Sequence, residues 1–248
     1  MTDVAGLRVL VTGAGAGIGQ AIAVRLADGG AHVAGLDIEL AGVPDDAVPV
    51  VCDVSDDRSV RTAVADAAMR LGGVDVVVNN AGIGAQGTIA DNDDEEWHRV
   101  LDVNVLGVVR VTRAALPWLR RSQSAAVVNV GSVAATAGLP RRALYSASKG
   151  AVLSLTLAMA SDHVAEGIRV NCVSPGTVDT PWVGRLLDAA DDPAAERAAL
   201  EARQPTGHLV AADEIAAAVC FLAGRGAPSL TGASVAVDGG MQGLRVRR

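Results

Sequence analysis

The stretch Leu7-Arg-Val-Leu-Val-Thr12-Gly-Ala-Gly-Ala-Gly-Ile-Gly19 decides the fold of this 248-residue chain. A strand-like apolar run ends at Thr12 and passes without a linker into a glycine turn, after which about Ile18–Gly29 reads as helix. Glycines allow a sharp turn and a close backbone approach to a ligand. The helix start that follows supplies unpaired N–H donors and a partial positive charge. The spacing is G-x-x-x-G-x-G on Gly13, Gly17 and Gly19, with Gly15 between. Placed after a strand and opening a helix, this pattern points to a phosphate cradle in a βαβ unit.

Working outward, apolar runs recur at Leu7–Thr12, His32–Asp37, Val48–Cys52, Val74–Asn79, Ala126–Val130, Ile168–Val173 and Ser234–Val237. Helical stretches lie between most of them, at about Asp56–Leu71, Asp93–Arg121, Ala143–Ala165 and Ala212–Ala223. Seven strands joined by helical crossovers predict an α/β fold, a Rossmann-type doubly wound parallel sheet with helices on both faces. The link from Ile38 to Pro49 is too short for a full helix. No linker or repeat divides the chain, so residues 1–248 are expected to form one domain. A long loop at about 177–207, with Pro181, Pro193 and Pro205, is the expected ligand-side segment.

Half of the residues are hydrophobic but only 2% are aromatic, so Ala, Val and Leu must build the core. That suits a parallel sheet covered on both faces. A net charge of −7 argues against nucleic-acid binding. Cys52, Cys172 and Cys220 are far apart and lack ligand spacing, and neither they nor the four histidines suggest a metal site. No leader-like segment precedes the first strand, and no run of about 18 apolar residues suggests a membrane span. A cytoplasmic protein is the expectation.

The chain holds one tyrosine and one lysine against 20 arginines, and they stand four residues apart as Tyr145 and Lys149. On a helix that spacing shares a face. An ammonium beside a phenol favours phenolate, which makes the pair an acid/base device. Asp37 ends the second strand 18 residues after Gly19. A carboxylate there accepts hydrogen bonds from an adenosine ribose and repels a 2′-phosphate. With no basic residue in the glycine turn or at Ile38, the expected cofactor is NAD rather than NADP.

Thr12-Gly-x-x-x-Gly-Ile-Gly19, Asn79-Asn-Ala-Gly82, Ser132, Tyr145-x-x-x-Lys149 and Pro175-Gly176 follow in this order. In that arrangement the chain resembles the short-chain dehydrogenase/reductase family over essentially its whole length. The resemblance implies that Tyr145 exchanges a proton with the substrate oxygen and that Ser132 hydrogen-bonds that oxygen. It implies that Lys149 binds the nicotinamide ribose and lowers the tyrosine pKa, and that Asn104 supports a water chain from the lysine. Gly13, Gly17, Ile18 and Gly19 would hold the cofactor phosphates. Asp53 and Val54 would meet the adenine, and Asn80, Ala81 and Gly82 would line the adenosine side. Pro175 would contact the cofactor, and after Pro175-Gly176, Val178 and Thr180 would hold the carboxamide. Two departures stand out: Gly131 where many relatives carry a second serine, and His208 where relatives often carry arginine after Thr-Gly.

The run Asn171–Pro181 with Arg203-Gln-Pro-Thr-Gly207 resembles the branch of that family acting on hydroxy acids and keto-deoxy sugar acids. Guanidinium forks bind carboxylates bidentately, so Arg142, Arg185 and Arg203 are candidate substrate residues. Each has the alternative of a solvated surface cation. Trp182 either walls the substrate site or anchors its loop. The leading expectation is an NAD-dependent oxidoreductase of a secondary alcohol or ketone on a hydroxy acid, sugar or sugar acid. The rivals are a reductase of cyclic or steroid-like ketones and an NAD-binding sensor without turnover. Relatives are usually tetramers or dimers, so a homo-oligomer is expected.

Overall fold

The structure is a computed structural model that describes residues 3–188 and 190–246. All seven expected strands form: β1 Arg8–Thr12, β2 His32–Asp37, β3 Val48–Val51, β4 Val76–Asn79, β5 Ala126–Val130, β6 Arg169–Pro175 and, last in the chain, β9 Ser234–Val237. They make one parallel sheet in the order β3-β2-β1-β4-β5-β6-β9. The order reverses between β1 and β4, which places a crevice at the strands' carboxyl ends.

Strand alternation decides which helix each residue meets. Val9, Val11, Val76, Val78 and Val128 face helix α1 (Gly17–Asp28) and helix α8 (Ala212–Ala223). Leu10, Val77 and Val127 face α2 (Asp57–Leu71), α4 (Gly107–Leu119) and α5 (Ala143–His163). Both faces are covered, so the central strands read as unbroken apolar runs. Caps fix the helix ends locally. Asp56 accepts from Arg58 N at 3.0 Å at the start of α2, and Gly72 ends it at φ +77°. The Ile38–Pro49 link contains no helix.

Two expectations change. The single helix expected over Asp93–Arg121 is α3 (Asp94–Leu101), a π-helical turn over Asp102–Leu106, and then α4. An apolar pattern continues through such a turn, so periodicity does not reveal it. The expected loop at 177–207 is instead strand β7 (Val178–Asp179), helix α6 (Pro181–Asp188) and helix α7 (Pro193–Ala202), with β8 (Val210–Ala211) pairing with β7. Pro181 and Pro193 open helices here, because a first-turn position needs no N–H and suits proline's fixed φ. Val183, Leu187, Leu200 and Leu209 form a small core of their own. This two-helix flap is braced by Arg197, which lies 2.8 Å from Asp179 on β7.

The span Ala143–Glu166, α5 with the turn after it, is 24 residues long and apolar enough to cross a membrane by length and composition alone. In this fold it packs on the sheet instead. Asn129 Nδ2 on β5 donates to Thr156 Oγ1 at 2.9 Å, and Ser148 and Lys149 are buried.

Candidate active site

The carboxyl ends of the strands open on a cavity of about 710 Å³. Its first wall is the β1–α1 turn. Gly13 and Gly17 have φ of +66° and +54°, conformations that favour glycine. Ala16 precedes α1 and offers no side-chain acceptor, so the first-turn amides stay open to an anion. The turn is stapled to β4. Thr12 Oγ1 accepts from the amides of Asn80 (3.0 Å) and Ala81 (3.1 Å), while Asn80 Nδ2 donates to the carbonyls of Thr12 (3.0 Å) and Gly13 (3.1 Å). Thr12 was not among the expected site residues; its place at the strand end, ahead of the turn, was the available signal.

At the second strand end, Asp37 Oδ2 accepts from Gly15 N at 2.8 Å. Its carboxylate lines the cavity beside Ile38, which is apolar. Asp53 and Val54 follow β3 on the same wall. The Ser55 hydroxyl and then its amide, at 2.6 and 2.8 Å, hold the Asp53 carboxyl below its ordinary pKa. Arg110, also missed, donates to Val54 O (3.1 Å) and pairs with Asp102 (2.6 Å), tying this loop to the π turn. A dinucleotide's phosphates and riboses fit these donors and acceptors.

Farther along, Ser132, Tyr145 and Lys149 line the same cavity with Pro175, Val178 and Thr180. Ser132 ends the turn after β5 and caps a short 3₁₀ turn, accepting from Ala134 N at 3.1 Å. Lys149 is 6% exposed, its Nζ 2.9 Å from Val130 O and 5.8 Å from the centroid of the Tyr145 ring. One of its three donors is thereby used, and two remain for ligand oxygens. A buried ammonium beside a phenol in a walled cavity is suited to moving one proton.

Arg142, Arg185 and Arg203 also line the cavity, and none has a carboxylate within 4.0 Å among the described residues. Burial, and then the neighbouring charge of Arg203, lower the Arg142 pKa. Arg142 donates to Ala85 O at 3.3 Å. Three unneutralised cations around one chamber favour an anion.

Two expected residues do not line the cavity. Gly19 lies beneath the turn, where an added Cβ would overlap Gly13 O and Asn80 Nδ2, so its glycine serves packing. Asn104 sits in the π turn, 1% exposed. Its Oδ1 accepts from Ile83 N (2.8 Å), and its Nδ2 donates to Ile83 O (2.9 Å) and Ser148 Oγ (3.1 Å). That amide joins the end of β4 to α5 and so positions the helix carrying Tyr145 and Lys149.

A glycine turn at the switch point of a parallel sheet, with Ser132, Tyr145 and Lys149 lining the same cavity, is the arrangement of a nucleotide-dependent oxidoreductase. A family profile described as enoyl-(acyl carrier protein) reductase matches residues 13–242. The chain is 39% identical over 241 residues to the cis-4-hydroxycyclohexanecarboxylate dehydrogenase of Sinomonas cyclohexanicum, covering 93% of this chain and 94% of that one. It is 36% identical over 247 residues to the 2-keto-3-deoxy-L-fuconate dehydrogenase of Xanthomonas campestris pv. campestris, covering 96% of this chain and 81% of that one. The 3-ketoacyl-(acyl-carrier-protein) reductase of Brucella melitensis, solved with NADH, superposes with a TM-score of 0.88 at 34% identity, covering 97% of this chain and 100% of that one. The chain belongs to the short-chain dehydrogenase/reductase family, and it is an oxidoreductase acting on CH–OH groups with a nicotinamide cofactor.

Proposed function

We propose that this protein is an NAD-dependent oxidoreductase interconverting a secondary alcohol and its ketone on a small hydroxy acid, sugar or sugar acid. The observation that carries the reading is the shared cavity: Ser132, Tyr145 and Lys149 open onto the same space as three arginines that have no carboxylate partner among the described residues. Gly13, Gly17 and Ile18 cradle the cofactor phosphates, with Gly19 holding the turn's shape. Asp37 takes the adenosine ribose, and its charge selects NAD over NADP. Asp53, Val54, Asn80, Ala81 and Gly82 line the adenosine side, and Pro175, Val178 and Thr180 hold the carboxamide end.

When bound, NAD would supply the acceptor for the carbinol hydride. The chain manages the rest. Tyr145 takes the hydroxyl proton as the alcohol is oxidised and returns it in the reverse direction. Ser132 donates to the substrate oxygen as charge gathers there, and Lys149 holds the nicotinamide ribose beside the phenol. Asn104 acts through the α5 contact described above. Arg142, Arg203 and Arg185 hold the substrate's anionic group, and residues 177–207 form the substrate flap of a single domain.

Leu157 on α5 is 54% exposed and Leu106 in the π turn is 46% exposed, and such uncovered apolar side chains on the long helical segments support a homo-oligomer. Three buried free thiols suit a cytoplasmic location.

The test is turnover across hydroxy acids, aldoses and sugar acids, with Tyr145→Phe alongside. Loss of about 10²–10⁴ in kcat with NADH binding kept is expected. A phenylalanine variant that turns over normally would remove Tyr145 from proton transfer. Comparable kcat/KM with NAD and NADP would remove Asp37 as the selector.

A further inference from the structure

We infer that Trp182 and Gly84 together form a size-selecting wall of the substrate chamber, admitting narrow substrates and turning away those with a ring beside the carbinol carbon. This rests on the reading above that the chamber beside Tyr145 and Arg142 holds the alcohol.

The chain has five aromatic residues, three Trp, one Tyr and one Phe. Trp97 and Trp118 pack against apolar clusters. Trp182 behaves differently: it is 45% exposed and lines the cavity. Its indole leans on Gly84, where a Cβ built on the glycine would stand 3.0 Å from Trp182 Cζ2 and 3.5 Å from Cε2. Gly84 has no positive φ, so its backbone does not require glycine. The missing side chain is explained by the indole's approach.

The segment before Trp182 reaches the other side of the cavity. A Cβ on Gly17, in the phosphate turn, would meet the Thr180 methyl at 3.5 Å and Pro181 Cδ at 4.0 Å. Residues 180–182 therefore run from the glycine turn to the strand-end segment at Gly84. They line the same cavity as Ser132, Leu139, Arg142 and Tyr145. The flap's own core and the Asp179–Arg197 pair hold this segment in place. A flat indole wall in a cavity that arginines also line would leave room for a slim chain with a charged end, whereas a ring would have to displace the indole.

The experiment compares affinities of the NADH-loaded protein for propionate and cyclohexanecarboxylate, read from bound-NADH fluorescence, in wild type, Trp182→Ala and Gly84→Ala. Removing the indole is expected to raise the cyclohexanecarboxylate-to-propionate affinity ratio at least tenfold. Gly84→Ala, which moves the indole by only a few tenths of an ångström, should change the ratio two- to threefold. A ratio within twofold of wild type in Trp182→Ala, with NADH still bound, would overturn the wall. Should Trp182→Ala loosen the flap and weaken both ligands, Gly84→Ala decides, since it leaves α6 untouched: an unchanged ratio there overturns the wall as well. The neutral pair 1-propanol and cyclohexylmethanol separates the two readings. If carboxylates bind no better than these alcohols, the anionic-substrate reading fails, yet the size ratio of the alcohols still reports the wall.

Discussion

The two ends of the sheet use arginine in opposite ways. At the amino ends of the strands, arginines are fully engaged. Arg8 reaches Asp75 through Nε at 2.8 Å and Nη2 at 2.6 Å. Arg169 donates to the carbonyls of Leu222 (2.6 Å), Ala223 (3.2 Å) and Gly224 (3.0 Å) that end α8. Arg225 reaches Ala5 O at 3.0 Å and Asp3 at 3.4 Å. At the carboxyl ends, Arg142, Arg185 and Arg203 surround the cavity without a carboxylate partner among the described residues. One end commits these guanidinium groups to carboxylates and helix-end carbonyls; at the other, these three stand without a carboxylate among the described residues, and Arg142 donates to a single carbonyl, Ala85 O.

The sharpest way to break this comparison is steric. Gly19→Ala forces a methyl into Gly13 O and Asn80 Nδ2. Its expected cost is about 3 kcal/mol of stability together with loss of NADH binding, since overpacking of rigid backbone cannot be relieved by a side-chain shift. Thermal unfolding and NADH titration read both, and a stable variant with wild-type NADH affinity would show that the turn can yield. Next comes charge at the carboxyl end. Arg142→Leu is expected to lower kcat/KM for an acid about 100-fold, the scale of a charge-assisted hydrogen-bond pair, while moving Tm little. Equal losses for an acid and a neutral alcohol would break the contrast.

The smallest effect concerns the amino end and is read by pH. Burial alone would raise the Asp75 pKa, but hydrogen bonds from Arg8 and Ser122 outweigh it and hold it at about 2. A depressed folded pKa means the stabilisation is present above the unfolded value near ~4 and is lost as pH falls from there toward ~2. Because the Arg8 side chain is 32% exposed, solvent screening trims the contribution to about 1–2 kcal/mol. Asp75→Asn should flatten that part of the stability–pH curve and leave activity intact; an unchanged curve would remove Asp75 as its source.

Local chemistry made the carboxyl end legible in sequence. The glycine turn, Asp37, Ser132 and the Tyr145–Lys149 spacing each sit within a few residues of a strand end or share a helix face, so neighbouring residues suffice to place them. The seven strands were equally plain, because burial on both faces leaves continuous valine runs. What escaped depends on distant partners. The π turn at Asp102–Leu106 follows the same apolar pattern as the helices around it. Arg110 matters through Val54, and Gly84 through Trp182, pairings that sequence spacing does not encode. The flap was hidden by its prolines, which mark helix starts and loops alike.

The chain's single lysine side chain has a practical consequence. An amine-directed reagent finds one ε-amino group in the whole protein, and that group lies at the wall of the cavity, 6% exposed beside Tyr145. Acylation of the intact protein, read at Lys149 by peptide mass so that the α-amino group is counted apart, is thus a chemical probe without mutagenesis: the rate at which Lys149 is modified reports how often the chamber admits a small molecule.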